Sequence, residues 1–378
     1  MRSAKTRLAL GLTFGALLFA FRAVEAEEIE RLRTFYFGNS FTGNTMPGLH
    51  PLLGESAGKA WTVDASIAPG IPIWAHMKKQ MDKGPDYDKF QRAGGETDAI
   101  LMLIFGGDGL SSVVTEKWQG KVKFDKPTDI GDIAACSYLI REYLQFNPQG
   151  RAYIYTAWPG IPGVKDLRDR IQQEAIESAR RPGERRQDVM KRIKTRKPNH
   201  EEMEPLRKSF DYTAQWLKDY DPANPQGNTH TRAHMYAVVE GLKENFPDLW
   251  REGRLGMIPV GDVFLALDKK MRAGEVPGIV NVGEFSADGG HLRSGLPRYT
   301  LAATYYAVLF REHPCAVDWK IFQKRSNYDS GKYGFYVHQP DLAVHLDITP
   351  ERAKVVNDTI WEVVAEHPYT RVQQGNAR

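Results

Sequence analysis

Short apolar runs recur along the chain, and each is followed by glycine, proline or another turn-forming residue. Five of these runs have the length of a buried β-strand. They are Thr34–Phe37, Trp61–Ile67, Asp98–Phe105, Arg151–Thr156 and Met257–Val260. The third run, Asp-Ala-Ile-Leu-Met-Leu-Ile-Phe, is almost wholly apolar, which is typical of a strand that is covered on both faces.

Longer segments carry apolar residues three or four positions apart, a spacing that predicts helices. They are Pro47–Ala57, Ile73–Met81, Ile130–Phe146, Ser294–Arg311 and a last helix that starts at Thr349-Pro350-Glu351. Strands that alternate with helices favour an α/β fold, namely a three-layer α/β/α sandwich with a mostly parallel sheet of about five strands. Such sheets bind ligands beyond the carboxyl ends of their strands.

Residues 1–26 have the features of a secretory signal peptide. Basic residues precede an apolar stretch, Leu8–Phe21, which is too short to span a bilayer. Val24-Glu25-Ala26 has the small-x-small pattern of a cleavage site, so the mature chain is expected to begin near Glu27. The protein is therefore expected to be secreted or periplasmic, with no integral membrane segment once the leader is removed.

The remaining 352 residues (378 minus 26) suit a single domain, 27–378, with almost no net charge. The chain carries a formal charge of +4, and the leader, with four basic residues and one acidic residue, accounts for +3 of it. Nucleic acid is therefore not an expected partner. The two cysteines, Cys136 and Cys315, are too few for a disulfide framework, although an exported protein could pair them. The oligomeric state is left open.

Two short segments at opposite ends of the chain supply the parts of a nucleophilic serine. Ser40 follows the first apolar run, and Asp288 lies three residues before His291 at the entrance to a predicted helix. A serine hydroxyl needs a base to take its proton, and the base needs a partner that fixes its tautomer. Either segment alone is more often a turn or a helix cap. Together they predict that the three side chains meet at one edge of the sheet.

These residues resemble the end blocks of the SGNH/GDSL hydrolase superfamily. Gly38-Asn-Ser-Phe-Thr42 is similar to the first block, in the form Gly-Asn-Ser-Phe that some branches of the superfamily have. Asp288-Gly-Gly-His291 is similar to the last block. The resemblance implies the sandwich fold predicted above. It also implies Ser40 as the nucleophile, His291 as the general base and Asp288 as the acid that orients it, with no cofactor and no metal.

The middle blocks of the superfamily supply the oxyanion hole, and here the chain departs from the pattern. Gly70 stands where one N–H donor is expected, and the N–H of Ser40 is another. The third block normally supplies an asparagine, but this chain has Gly106-Gly-Asp-Gly109. An ionised Asp108 would repel an oxyanion, so either a backbone N–H such as that of Gly107 substitutes or the hole has two donors. Loss of one donor typically costs about 2.7–4 kcal/mol of transition-state stabilisation.

Other polar and aromatic residues that follow strand ends are candidates for contact with substrate. They are Asn39, His76, Asp108 and Trp158. A helix-surface or core position is the alternative for His76, and packing at the rim is the alternative for Trp158. Asp262 either contacts substrate or caps a helix over Val263–Lys270. His230-x-x-x-His234 has the spacing of two metal ligands, but no third ligand is evident and no metal site is predicted.

Two segments depart from the regular alternation. Lys165–Lys208 is dense in charges of both signs and predicts a solvated helical insertion, at about 165–210. A lid over the site, or a clamp for an acidic polymer, is the alternative. Residues 314–378 are predicted to form a C-terminal extension.

The function expected from these features is that of an exported serine esterase. Its substrate is expected to be a small-molecule or carbohydrate ester, and O-acetylated carbohydrate is favoured by analogy with the superfamily. The alternatives are a non-catalytic carbohydrate-binding protein of the same fold and an envelope scaffold that holds a partner through the insertion.

Overall fold

The computed structural model describes residues 29–83, 90–91, 96–104, 131–193, 196–224, 230–324 and 345–372. Its strands are Arg31–Gly38 (β1), Ala60–Ile67 (β2), Ala99–Ile104 (β3), Arg151–Thr156 (β4) and Leu255–Ile258 (β5). They form one sheet in the order β2-β1-β3-β4-β5, and every neighbouring pair is parallel. The predicted leader lies outside the described residues.

The five predicted strands are all present, and β4 has the predicted bounds. β1 begins before the apolar run, because its first residues pair with β2 from Arg31 opposite Ala60. β5 lies two residues earlier than predicted, at Leu255–Ile258. Pro259 has no N–H for a ladder and directly precedes a helix, so the strand cannot continue to Val260. The predicted α/β class and the parallel sheet are confirmed.

Helices cover both faces of the sheet. They are Ser40–Asn44 (α1), His50–Ser56 (α2), Ile73–Met81 (α3), Asp132–Phe146 (α4), Val164–Ala179 (α5), Arg186–Arg192 (α6), His200–Lys208 (α7), Tyr212–Trp216 (α8), Arg232–Asn245 (α9), Pro247–Arg251 (α10), Val260–Arg272 (α11), Leu296–Phe310 (α12), Lys320–Gln323 (α13) and Pro350–Glu366 (α14). The helix predicted over Pro47–Ala57 is divided, with a 3₁₀ turn at Pro47–Leu49 before α2.

Consecutive side chains of β1 show the two covered faces, since neighbouring residues of a strand point to opposite sides. Tyr36 stacks on Tyr305 of α12, with the ring centroids 6.0 Å apart. Phe37 points the other way and packs against His76 of α3, at 5.7 Å. Both faces of the sheet are therefore covered by helices, which explains why β3 is apolar at every position and fully buried.

The C-terminal helix α14 belongs to the core. Val356 and Ile360 are fully buried, and the hydroxyl of Tyr299 in α12 donates to Asn357 at 2.7 Å. The start of α14 is as predicted, with Pro350 in the first turn and the Thr349 side chain accepting from a backbone N–H. The segment after 314 therefore contributes packing as well as surface.

Cys136 is buried and Cys315 is exposed, and both are free thiols, so the optional disulfide is not formed. Among the helices of the described residues, none combines the length and the apolar character needed to cross a bilayer.

Candidate active site

The nucleophile turn follows directly on β1. Asn39 caps α1, its side chain accepting the N–H of Phe41 at 2.9 Å, so that Ser40 becomes the first residue of the helix. A Cβ at Gly38 would lie 1.7 Å from the hydroxyl oxygen of Thr42, so glycine is required at this turn. The turn places Ser40 at the carboxyl end of β1 and leaves 9% of it exposed.

The structure brings Ser40, His291 and Asp288 together in one hydrogen-bonded line. His291 Nε2 lies 2.9 Å from Ser40 Oγ, although the two residues are 251 positions apart. His291 Nδ1 lies 3.0 Å from Asp288 Oδ2 and 3.2 Å from Oδ1. A carboxylate only accepts, so Nδ1 carries a proton that it donates to Asp288. With the imidazole neutral, the lone pair of Nε2 is the acceptor for the proton of Ser40.

Asp288 is held in its ionised form. Burial alone would raise its pKa, but hydrogen bonding to His291, the charge of His291 and the backbone N–H groups of His291 and Gly290 outweigh burial. The pKa of Asp288 therefore lies well below its usual range. Its Oδ1 accepts the two N–H groups at 2.9 and 3.3 Å, which fixes the carboxylate against its own loop.

The Asp288–His291 pair lies in a loop rather than in the first turn of a helix. The helix that the pair was expected to open, α12, begins only at Leu296. An antiparallel bridge between Ser286 and Leu292 encloses the pair and closes the loop on itself. Asp288 and His291 thus approach each other through a tight turn with Gly289 at φ +98°, a conformation suited to glycine.

Asn44 joins the two halves of the site and was not predicted from the sequence. Its Nδ2 donates to the carbonyl of Ser40 at 2.8 Å, and its Oδ1 accepts the N–H of Leu292, next to His291, at 2.8 Å. Asn44 is fully buried, so both contacts are shielded from water. The one sequence signal was its position four residues after Ser40, which places it one helical turn away.

The loop after β2, which carries Gly70, is fastened to the nucleophile turn. Ala68 N–H donates to the carbonyl of Gly38 at 3.1 Å, and Asn39 Nδ2 donates to the carbonyl of Ile71 at 3.2 Å. Gly70 lies between these two contacts, exposed and at φ +70°. Its role in the oxyanion hole remains a prediction, and Gly107 and Asp108 lie outside the described residues.

Asn39 and His76 are committed to contacts with the protein. Both polar atoms of the Asn39 side chain, Oδ1 and Nδ2, are hydrogen-bonded to backbone groups, and the residue is 1% exposed. His76 is fully buried, with Nε2 donating to the carbonyl of Gly38 at 2.9 Å and Nδ1 3.2 Å from the hydroxyl of Ser66. His76 therefore takes the core position that was its alternative, and it holds the end of β1.

Trp158 packs against the site from the β4 side. Its ring lies 4.7 Å from that of Phe41, beside the nucleophile, and its Nε1 donates to the carbonyl of Gly290 at 2.9 Å. Only 4% of Trp158 is exposed. Trp158 therefore has the geometry of a packing residue at the rim of the site, which was the alternative for this residue, and it does not present an exposed ring on which a sugar could stack.

His230 and His234, which have the spacing of two metal ligands, contact different parts of the protein. His234 Nε2 lies 2.8 Å from Asp132 Oδ2, with both side chains buried. The His230 ring packs on Phe41 at 5.1 Å, and burial, followed by the charge of His234, lowers the pKa of His230 to about 3. Among the described residues no three histidine, cysteine or acidic side chains are grouped as metal ligands.

Asp262 lies inside α11 and is not its cap. The helix begins at Val260, which places Asp262 in the first turn, where it is 6% exposed. Its carboxylate accepts Trp216 Nε1 at 3.1 Å and pairs with Arg232 at 3.0 Å. Asp262 thus joins three helices. The alternative that it caps a helix over Val263–Lys270 was wrong, because the helix starts at Val260.

Comparison with solved structures finds similar chains at low identity. A DUF4886 family protein from Bacteroides uniformis ATCC 8492 is 14% identical, over 88% of this chain and 95% of that one, with a TM-score of 0.45. A gut microbial diltiazem-metabolizing enzyme is 9% identical over 73% and 46%, with a TM-score of 0.35. A lipase/acylhydrolase from Enterococcus faecalis is 10% identical over 57% and 95%, with a TM-score of 0.21.

No model of a known protein family matches the chain, and no curated protein matches its sequence. The chemistry that a fold supports is set by the side chains of its site.

Proposed function

We propose that this chain is a serine hydrolase that cleaves esters through an acyl-serine intermediate. The observation that carries the proposal is the hydrogen-bonded line from Ser40 Oγ through both imidazole nitrogens of His291 to the Asp288 carboxylate, at 2.9 and 3.0 Å. This arrangement supplies a nucleophile, a base and a group that orients the base, which are the parts that acyl transfer to a hydroxyl requires.

Acylation begins when Ser40 Oγ attacks the carbonyl carbon of the ester and His291 Nε2 takes the hydroxyl proton. Asp288, held ionised, keeps the other imidazole proton in place and stabilises the imidazolium. The N–H of Ser40, at the first position of α1, has no partner within that helix, and with Gly70 it would face the oxyanion. His291 then protonates the leaving alcohol, and the acyl group remains on Ser40.

Deacylation repeats these steps with water as the nucleophile. His291 Nε2 removes a proton from water, the hydroxide attacks the acyl-serine, and the same proton returns to Ser40 Oγ as the acid leaves. The hydrogen bonds among Ser40, His291 and Asp288 support this sequence of steps, because the three side chains can act without a large rearrangement.

O-acetylated carbohydrate is the proposed substrate class, and an exported location is proposed with it. Both rest on the resemblance of the end blocks and on the features of residues 1–26. They are independent of the triad, so a different ester or location would leave the proposed reaction intact.

Turnover of an ester panel by the wild type and by Ser40→Ala tests the proposal. Acetylated sugars and short nitrophenyl esters should be hydrolysed by the wild type, and the variant should lose that activity while remaining folded. A folded wild type with no turnover on any ester would favour the non-catalytic carbohydrate-binding alternative. Turnover that survives in Ser40→Ala would remove Ser40 from the mechanism.

A further inference from the structure

The loop that carries Asp288 and His291 has little structure of its own. It contains two adjacent glycines, Gly289 and Gly290, and its one bridge is that between Ser286 and Leu292. An apolar cavity lies against it, lined in part by Trp158, Phe264 and Phe285. Regular secondary structure therefore does not explain why the loop holds its position.

Donors from outside the loop satisfy five consecutive carbonyl groups, those of residues 286 to 290. Arg207 donates from Nε to the carbonyl of Ser286 at 3.0 Å and from Nη2 to that of Ala287 at 3.1 Å. Arg168 donates from Nη2 to the carbonyl of Asp288 at 2.5 Å. Hydrogen bonds from a guanidinium are stronger than those between neutral groups.

The last two carbonyls accept from the segment after β4. Ile161 N–H donates to Gly289 at 2.8 Å, and Trp158 Nε1 donates to Gly290 at 2.9 Å. The approach is close, since a Cβ at Gly160 would lie 3.0 Å from the carbonyl oxygen of Gly289. The loop is therefore held at successive points along its backbone, and the two arginines provide the first three of them.

Both arginines belong to the charged segment Lys165–Lys208. Arg207, on α7, is 1% exposed, and its third nitrogen donates to the carbonyl of His200 at 3.3 Å. Its helix is fixed at its start by a reciprocal pair of hydrogen bonds between Asn199 and Glu202. Arg207 is thus a rigid fork whose every nitrogen is used on backbone, two of them on the catalytic loop.

Arg168, on α5, is the more exposed of the two, with 48% of its side chain accessible. Besides the carbonyl of Asp288, it lies 3.7 Å from the Oδ2 of the same residue. It therefore contacts the backbone and the carboxylate of the one residue that orients the base.

We propose that Arg168 and Arg207 are positioning residues of the hydrolase, and that the charged insertion is part of its catalytic apparatus. The two arginines hold the carbonyls of residues 286–288 so that His291 Nε2 stays within reach of Ser40 Oγ. This assignment rests on the proposed hydrolase function. This role differs from those considered for the segment above, namely a solvated insertion, a lid over the site and a clamp for an acidic polymer. The two arginines contact the loop that carries the general base.

The test compares Arg168→Gln with Arg192→Gln. Arg192 lies in the same segment, is similarly exposed at 40%, and pairs with Glu184, so its loss should leave the catalytic loop untouched. Arg168→Gln is expected to lower kcat about tenfold, with KM within about twofold, since small displacements of a catalytic group have large effects on rate. Arg168→Lys, which keeps one donor and the charge, should recover part of the loss.

Hydrogen–deuterium exchange of the amides from 286 to 292 gives a second readout that does not depend on activity. Arg168→Gln should exchange faster there than the wild type, and Arg192→Gln should not. Arg207→Lys should behave in the same way as Arg168→Gln, and more strongly if it folds, because two carbonyls lose their fork.

Equal kcat and equal loop exchange in Arg168→Gln and Arg192→Gln would overturn the assignment. A wild type without Ser40-dependent turnover would remove the proposed function instead. In that case faster loop exchange in Arg168→Gln would still support the conclusion that the arginine holds the loop in place, and unchanged exchange would reject it.

Discussion

The nucleophile turn and the loop of the general base are built in different ways, although their side chains meet at 2.9 Å. The nucleophile turn consists of a strand, a cap and a helix, and the cap is a local contact between Asn39 and Phe41. Distant residues, including His76 and Ala68, bond to the carbonyl of Gly38 at its start. The base loop is irregular, and donors more than 75 residues away, Arg168 and Arg207, satisfy its first carbonyls.

Regular secondary structure therefore orients the nucleophile, because Ser40 is the first residue of α1 directly after β1. The base loop has no such structure, and its first carbonyls depend on donors from α5 and α7. Asn44 is where the two regions are joined, because it bonds the backbone of both. Substitutions should therefore affect the two regions unequally, and the following experiments exploit that difference.

Loss of a reacting side chain should have the largest effect. His291→Ala and Ser40→Ala are each expected to lower kcat by a factor on the order of 10⁴ to 10⁶, because the residues act as a unit. The double variant should be no slower than the slower single variant. Losses that multiply in steady-state kinetics would show that the two regions do not work on one reaction.

Asn44→Ala removes the connection between the regions and should come next. It leaves the carbonyl of Ser40 and the N–H of Leu292 buried without their partner, which typically destabilises by about 1–3 kcal/mol. We expect kcat to fall about a hundredfold as the base moves relative to the nucleophile. Kinetics together with urea unfolding measures both effects, and Asn44→Asp is the control that keeps the acceptor for Leu292. Full activity in Asn44→Ala would mean that each region holds its position alone.

Gly289→Ala strains the base loop without touching the nucleophile turn. Alanine disfavours φ +98°, and its Cβ would lie 2.8 Å from a methyl of Val164 at the start of α5. A decrease of about tenfold in kcat is expected, with exchange of the loop amides raised. For the exchange measurement, Gly70→Ala is the matched control, since Gly70 also has a positive φ, +70°, but nothing lies within 4 Å of its Cβ. An equal effect of both variants on the exchange of the base loop would contradict the comparison.

The smallest effect expected is on stability at acid pH. Because folding lowers the pKa of Asp288 from its ordinary 3.8, its ionised form adds stability above that value, and the contribution is lost as the pH falls through the folded pKa. The unfolding free energies of the wild type and Asp288→Asn should therefore differ most near neutrality. The difference should begin to shrink at about pH 4 and decrease progressively as the pH falls further. A difference that grows on acidification would show that the carboxylate is not stabilised in the fold.

Much of the fold follows from local pattern in the sequence. The bounds of β4 and α3 match the periodic segments residue for residue, because apolar spacing records burial directly. The meeting of Ser40 with Asp288 and His291 was predicted from the three residue types and from the resemblance of the two end blocks, since Asp288 and His291 follow no strand of the sheet. The distances among the three residues are a property of the folded chain that no spacing supplies.

Long-range hydrogen bonds account for what the sequence left undetermined. Nothing in the pattern around Arg207 distinguishes it from the other basic residues of its segment, since the carbonyls that it meets lie 79 and 80 residues away. For Trp158 and His76 the sequence left substrate contact and packing open as alternatives, because the carbonyls that they bond, those of Gly290 and Gly38, lie 132 and 38 residues away. The position of Asp262 depended on a helix start at Val260, one turn ahead of the expected bound.

The most direct test of the account is covalent labelling by a fluorophosphonate, which reacts with a serine only when a base has activated it. We expect stoichiometric labelling of the wild-type chain on Ser40, no labelling of Ser40→Ala and strongly slowed labelling of His291→Ala. A folded wild-type protein that the probe does not modify, or one that is modified as fast without His291, would contradict the central claim.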